Sequence, residues 1–160
     1  MGFHLAQANI ALLRAPTADA SNAAYVARLD EMNALADASP GFVWRYLTDS
    51  RDPSQRELDD PLVLFNMSVW TSLDALHAYT YRTRHAEVYA ARKTWFDEPE
   101  AKTGLARMAC WWVCEGERPT VADAKARLAS VKQNGPTAFA FTFKVSFDAE
   151  GAPVSLFRRE

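Results

Sequence analysis

"FHLAQANIALL", residues 3–13, is the stretch from which the fold can be worked out. Its side chains alternate in character, as they do in a β-strand whose successive residues point to opposite faces of a sheet. One face carries small and aliphatic residues, namely Ala6, Ala8, Ile10 and Leu12. The other face carries Leu5, Gln7 and Asn9. Small residues suit a closely packed helix, so we expect helices over the alanine face.

The rest of the chain alternates between helical and extended patterns. Helices are predicted at residues 20–38 and 71–96, and at 118–136 with Thr120 as N-cap, Asp123 three positions on and Gly135 as the stop. Strands are predicted at 41–49, 62–70, 107–115 and 138–147. The order is a ferredoxin-like split βαβ plan with an antiparallel sheet and an extra C-terminal helix and strand. This is an α+β domain over residues 1–148, and residues 149–160 are predicted to be a flexible tail.

Composition limits the function classes that fit this chain. Its 160 residues are 49% hydrophobic and 24% charged, which is typical of one globular domain. The formal charge is −2, with no long run of either sign, so nucleic acid and acidic membrane surfaces are not favoured as partners. The N-terminus has no secretory or myristoylation pattern, and we expect a cytoplasmic protein whose partner is a small molecule.

One helical face in "YRTRHAEVYAARKTWF", residues 81–96, combines basic and aromatic side chains. At 3.6 residues per turn the stripe contains Tyr81, His85, Val88, Tyr89, Arg92, Trp95 and Phe96. Basic groups in such a stripe need a pocket, a partner or neutralisation. The stripe is rotated from that of residues 71–80, so we expect a kink or break near residues 79–84.

The two cysteines, Cys110 and Cys114, lie on one predicted strand. Four residues of strand span roughly 13 Å, which is too far for a mutual disulfide. We interpret both as thiols of the core.

Four segments of the chain together resemble a known family. They are the strand quoted above, "NALADASPGFVWR", "NMSVWTSLDALHAYTYRTRHAEVYAARKTWF" and "WWVCEGERPTVADAKARL". These segments are similar to the domain-of-unknown-function family 3291 (DUF3291), over residues 4 to about 143. The resemblance places the chain in the dimeric α/β barrel superfamily, which includes antibiotic-biosynthesis-type and haem-degrading monooxygenases. It implies a homodimer. The pattern gives a separate reason, because a sheet face of aromatic and amide residues must be covered, most simply by a second copy.

The resemblance also implies a pocket between the sheet and the second helix. Carried onto this sequence, its lining is Asn9 of the first strand, His85 of the helix, and one of Trp44, Trp70 or Trp112. Asn66 lies on a strand face like that of Asn9, and two amides can orient a carbonyl or phenolic oxygen. Tyr89, Arg82 and Arg92 complete the predicted substrate- or cofactor-binding residues, although apolar-stripe arginines more often pair inside the protein.

His85 has three interpretations: a packing residue bonded within the protein, a general base toward a phenol-like substrate, or an axial ligand to haem iron. The sequence therefore favours a monooxygenase-like enzyme acting on a small hydrophobic or aromatic substrate, with haem or with no cofactor. The alternative is a non-catalytic dimeric module that binds haem or a small ligand. No phosphate loop, Ser-His-Asp pattern or metal-spaced histidine cluster supports other enzyme classes.

Overall fold

The computed structural model of the chain describes residues 2–13, 23–47, 62–82, 96–97 and 103–155. In chain order the elements are β1 (Phe3–Leu13), α1 (Ala23–Ala38), β2 (Phe42–Arg45), β3 (Val63–Trp70), α2 (Leu73–Arg82), β4 (Phe96–Asp97), β5 (Met108–Cys114), α3 (Val121–Asn134), β6 (Ser146–Phe147) and β7 (Pro153–Val154). None of the described helices has the length and hydropathy needed to cross a bilayer.

β1 is the central strand, and its predicted bounds are confirmed. It pairs antiparallel with β3 on one side and with β5 on the other, while β2 pairs with the outer edge of β3. The order β2-β3-β1-β5 with antiparallel pairing is the ferredoxin-like arrangement, so the predicted fold class is confirmed. The two-residue β4 pairs with the end of β1, at Leu12 and Leu13.

The first sheet face is covered by α1 and α2, and we call it the α1/α2 face. It carries Leu5, Gln7 and Asn9 of β1, because their cross-strand partners include Trp70 and Cys110, which pack with residues of those helices. The helical residues in this cluster are Ala36, Leu73 and Leu76. The prediction that the amide face lies away from the helices is therefore wrong.

The opposite sheet face, which we call the α3 face, is covered by the appended helix. Its β1, β3 and β5 residues in the core cluster are Ala6, Ala8, Ile10, Met67, Val69, Ala109, Trp111 and Val113. Ala124 and Leu128 of α3 pack on them, and both are fully buried. The predicted need to cover the amide face is thus met within the chain, because each face has its own helices. The homodimer stays a prediction that now rests on the resemblance.

α3 begins and ends where its sequence predicts. The Thr120 Oγ1 accepts a hydrogen bond from the Asp123 backbone N–H at 3.1 Å, and the Asp123 Oδ2 accepts one from the Thr120 N–H at 2.9 Å. This reciprocal capping box satisfies two N–H groups that the helix itself leaves unpaired. Gly135 follows the helix with a φ of 70°, a value that side-chain-bearing residues rarely adopt.

The second half of the chain differs from the sequence prediction at two places. α2 is helical through Arg82, so residues 79–82 contain no break, and the rest of the predicted kink region lies outside the described residues. Phe96, predicted on the helical stripe, is paired in β4 with Leu13. Its backbone is extended there, and the predicted helix must end before it.

The predicted last strand, residues 138–147, is reduced to one bridge and half of a hairpin. Phe141 exchanges both backbone hydrogen bonds with Cys110, at 2.7 and 2.9 Å. A turn follows, in which the Thr142 N–H donates to the Val145 carbonyl and the Ser146 hydroxyl to the Thr142 carbonyl. β6 then pairs with β7, so paired structure continues to Val154, past the predicted start of the tail at residue 149.

Candidate functional site

Three cross-strand rows form the floor of the α1/α2 face. The strand register places Leu5 between Trp70 and Trp112, Gln7 between Ser68 and Cys110, and Asn9 between Asn66 and Met108. Directly opposed residues point to the same face of a sheet. The register therefore brings the two predicted site amides, Asn9 and Asn66, side by side at one end of this face.

Solvent exposure rises from row to row along β1 and β3. Trp70 is 1% exposed, Ser68 and Gln7 are each 9% exposed, Asn9 is half-buried and Asn66 is exposed. The first row is filled by packing against α2, whereas the amide row is accessible. The rows thus form a polar strip that runs from a sealed aromatic end to an open end at Asn9 and Asn66.

A hydrogen-bonded group lies in the middle of this strip. The Gln7 Nε2 donates to the Ser68 Oγ at 2.9 Å, and the Trp70 Nε1 donates to the same oxygen at 2.9 Å. These three residues are almost completely buried, and buried donors without partners would be costly. The group fixes the Trp70 ring, which is one of the three tryptophans the sequence proposed.

An aromatic stack closes the sealed end. Tyr79 of α2 stacks on Trp70 with ring centroids 5.1 Å apart, and its hydroxyl donates to the Met32 carbonyl of α1 at 3.2 Å. Burial raises the pKa of Tyr79 to about 12, and the Asp37 carboxylate adds to this, while Arg45 opposes it. The phenol is therefore neutral at physiological pH and serves to join the two helices over the sheet.

Trp112 and Trp44 lie away from the amide pair. Trp112 occupies the sealed row, and its Nε1 donates to the Phe147 carbonyl of the C-terminal hairpin at 2.8 Å. Trp44 is opposite Val69 and packs on the α3 face, with the Arg118 guanidinium 5.9 Å from its ring centroid. Of the three proposed tryptophans, only Trp70 shares a strand and a sheet face with Asn66. It lies two residues from Ser68 and four residues from Asn66 along β3.

The basic residues of the prediction are only partly described. His85, Tyr89 and Arg92 lie outside the described residues, and Arg82 is the last residue of α2. Arg45 of β2, which is described, pairs with Asp37 at 2.9 Å. This ion pair links β2 to α1.

The two cysteines are free thiols, as the sequence predicts. Cys110 is fully buried in the middle row, and burial raises the pKa of its thiol well above the usual range. It is therefore a neutral, inert core group. Cys114 is exposed at the end of β5, so its interpretation as a core thiol is wrong. Within the described segments, no three metal-ligating side chains are clustered.

A separate surface groove of about 450 Å³ lies beside the α1–β2 turn. Its lining residues are Ser39, Pro40, Gly41, Thr71, Asp74, Ala75, Ala78 and Tyr79. Gly41 has a φ of 83°, and a Cβ there would lie 2.5 Å from the Ala75 Cβ, so only glycine lets this turn approach α2. The groove shares Tyr79 with the aromatic stack and does not include the amide pair.

Gln7, Ser68 and Tyr79 were not predicted from the sequence as site residues. Gln7 and Ser68 could have been found from the alternation that identified Asn9 and Asn66, because each is two residues from one of those amides on the same face. Tyr79 carries no comparable signal, since its contact with Trp70 depends on how α2 crosses the sheet.

Comparisons with known proteins give one family and a distant structural likeness. The family described as "Domain of unknown function (DUF3291)" matches residues 4–156. The crystal structure of SnoaB, a cofactor-independent oxygenase from Streptomyces nogalater, is 16% identical, with a TM-score of 0.45. The crystal structure of a mutant of SnoaB is 15% identical, with a TM-score of 0.46. Each alignment covers 74% of this chain and 96% of the other. No curated protein matches the chain.

Proposed function

The chain belongs to the family described as Domain of unknown function (DUF3291), and from that premise we propose that it is a monooxygenase-type enzyme that oxidises a small aromatic substrate without a bound cofactor. The family description assigns no activity. The proposal is supported mainly by the position of Asn9 opposite Asn66 at the accessible end of the polar strip.

The amide pair has the chemistry needed to hold a substrate oxygen. Each side-chain amide offers two N–H donors and a carbonyl acceptor, and opposed strand residues have Cβ atoms about 5 Å apart. Two such groups can bind a carbonyl or phenolate oxygen between them. Met108, opposite Asn9 in the same row, adds apolar surface nearby, which suits a flat ring.

The proposed reaction needs no external reductant. Removal of a proton from a ring carbon or phenol gives an anion that the amide N–H groups stabilise. That anion reduces O2, so that a CH2 group and O2 become a C=O group and water. One oxygen atom enters the product, and the other leaves as water with the two substrate hydrogens. We assign the first proton transfer to His85 or to a water molecule, as the sequence predicts.

Haem is left out of the proposed reaction, because the three strand rows of this face offer no histidine to its iron. Histidine nitrogen, cysteine thiolate and methionine sulfur are among the usual protein ligands of haem iron. Cys110 is held as a neutral thiol by burial, and Met108 belongs to the amide row, where it packs with the aromatic cluster. The predicted ligand His85 lies outside the described residues, so haem enters no step of the proposed reaction.

A second function, a non-catalytic module that binds a small ligand, is favoured by one observation. Within the three rows the only ionisable side chain is Cys110, and its raised pKa removes it from acid–base chemistry. A binding site needs no such group, whereas the oxygenase must take its base from elsewhere. The two proposals therefore differ in whether the bound molecule consumes oxygen.

Oxygen uptake with a panel of phenols, quinols and anthrones distinguishes them. We expect consumption of one O2 per substrate for the wild type. Asn9→Ala and Asn66→Ala remove amide donors and should each lower kcat/KM about tenfold or more. Asn134→Ala, exposed at the end of α3, is the matched control and should keep full activity. Uptake that is unchanged in both site variants would contradict the assignment of the amides.

A visible spectrum with and without added haemin tests the cofactor. We expect no Soret band that depends on the protein, and a band lost in His85→Ala would instead support the haem-dependent version. The homodimer and the cytoplasmic location are further parts of the proposal. Light scattering after size exclusion should give twice the chain mass of 17.9 kDa.

A further inference from the structure

We infer that the Ser68 hydroxyl acts only as a hydrogen-bond donor toward the site, and that it selects ligands that carry an acceptor oxygen. This inference deepens the proposed function and rests on it for the position of the ligand. Neither the family description nor the sequence pattern assigns a role to Ser68 or to its partner Gln7.

The direction of the hydrogen bonds carries the inference. A serine hydroxyl has two acceptor lone pairs and one donor proton. The Gln7 Nε2 and the Trp70 Nε1 both donate to the Ser68 Oγ, at 2.9 Å each, so both lone pairs are used. An indole N–H can only donate, which fixes the direction of one of these bonds.

The Ser68 proton has no acceptor among the described residues. Ser68 is nine-tenths buried, and a buried donor left without a partner costs free energy. Its remaining exposure lies on a face where exposure increases from Trp70 through Ser68 to Asn66. Among the described residues, therefore, nothing competes for this proton with a molecule that enters from the amide end.

The geometry defines the class of ligand. Alternate residues on one strand face are roughly 7 Å apart, so Ser68 lies about that distance further in than the amide pair. A ring system with an oxygen held at Asn9 and Asn66 would place its far end near Ser68. That end must carry an acceptor oxygen, such as a carbonyl or phenolic oxygen, because an apolar group or a group that only donates would leave the Ser68 proton unpaired.

The test compares two probes of similar shape, 5-hydroxy-1-indanone and 5-indanol, which share a phenolic oxygen for the amide pair and differ in a single carbonyl oxygen at the far end. Binding is measured by ligand-observed NMR titration, and the readout is the ratio of the Kd of 5-indanol to that of 5-hydroxy-1-indanone. We expect a ratio of about ten for the wild type and about one for Ser68→Ala. Ser68→Thr keeps the hydroxyl and should keep the ratio. A ratio near one for the wild type would overturn the inference.

Gln7→Glu provides a second variant that does not depend on how well Ser68→Ala folds. The carboxylate has no N–H and accepts the Ser68 proton, so the hydroxyl turns inward and the ratio should again fall to about one. Using a ratio cancels any loss of folded protein, which weakens both probes equally. An unchanged ratio in Gln7→Glu would contradict the inference.

The outcomes separate this inference from the proposed function. Neither probe needs to be oxidised, so a carbonyl preference that depends on Ser68 would stand even if no substrate consumed oxygen. In that case the oxygenase would be rejected in favour of the binding module. If the protein consumed oxygen but the Kd ratio of the two probes were the same with and without the Ser68 hydroxyl, only this inference would be rejected.

Discussion

The two faces of the central sheet are built from the same three strands but have opposite character. On the α3 face, β1, β3 and β5 contribute only apolar residues to the core cluster, and α3 seals them with Ala124 and Leu128. On the α1/α2 face the same strands carry Gln7, Ser68, Asn9 and Asn66, and exposure rises toward the amides. The α3 face therefore contributes mainly to stability. The α1/α2 face keeps polar groups accessible and buries less apolar surface at its amide end.

This contrast indicates where substitutions should act on folding and where they should act on binding. Apolar burial contributes about 25 cal/mol per Å², so the α3 face carries stability directly. The middle row of the α1/α2 face instead contains buried donors that must find partners. Substitutions on the α3 face should therefore change stability more than substitutions at the open end of the α1/α2 face.

Leu128→Ala should destabilise the protein most. Leu128 is fully buried between α3 and the sheet, and truncating a buried leucine typically costs about 2–5 kcal/mol. Urea denaturation followed by circular dichroism measures the free energy of unfolding. Gln133→Ala, exposed on the same helix, is the control and should change it by less than about 0.5 kcal/mol. A Leu128 variant as stable as this control would show that α3 does not seal the face.

Tyr79 should make stability fall at high pH. Its folded pKa is raised from 10.0 to about 12, so between these values only the unfolded chain loses the proton. The contribution of the neutral phenol is therefore fully present below pH 10 and is lost as pH rises to about 12. The free energy of unfolding of the wild type minus that of Tyr79→Phe is measured by urea denaturation at pH 8 and at pH 11. This difference should be smaller at pH 11 by about 1 kcal/mol or more.

Tyr81→Phe is the matched control for this pH dependence, since Tyr81 lies on the same helix and is exposed. Its difference from the wild type should show a smaller change between pH 8 and pH 11. Equal pH dependence in both variants would mean that the stacked phenol is not the source of the effect.

Thr120→Ala should cost about 1 kcal/mol, because it removes the side-chain acceptor of the α3 capping box. Thr120→Ser retains the oxygen and should lie close to the wild type. Thermal unfolding of the three proteins is sufficient to rank them. If serine proved as damaging as alanine, the cap would owe its effect to the threonine methyl group and not to the hydrogen bond.

Much of this fold could be predicted from local sequence signals. β1 and the cap of α3 follow from alternation and from the residues Thr120, Asp123 and Gly135, which act within a few positions. Alternation also separates the two faces of a strand. It cannot say which face a distant helix covers, because that depends on contacts such as that of Leu128 with the sheet. For this reason the prediction that the amide face lies away from the helices was wrong.

Two further differences have local structural causes that the sequence pattern hides. In β2 the register shifts between Phe42 and Trp44, so Phe42 is opposite Trp70 whereas Trp44 is opposite Val69. A bulge of this kind moves a side chain to the other face, and it removed Trp44 from the candidate site. Near the C-terminus, the turn at residues 142–146 interrupts a pattern that alternates as a strand would.

Asn66→Ala should change stability least of all, although Asn66 is central to the proposed site. The side chain is exposed and sits at the open end of the α1/α2 face, so its loss should alter the free energy of unfolding by less than about 0.5 kcal/mol. Urea denaturation measures this next to the loss of kcat/KM expected above. Loss of activity at unchanged stability would place Asn66 in binding or catalysis. A destabilisation above about 1 kcal/mol would show that the amide row also carries folding energy, and it would weaken the contrast between the two faces.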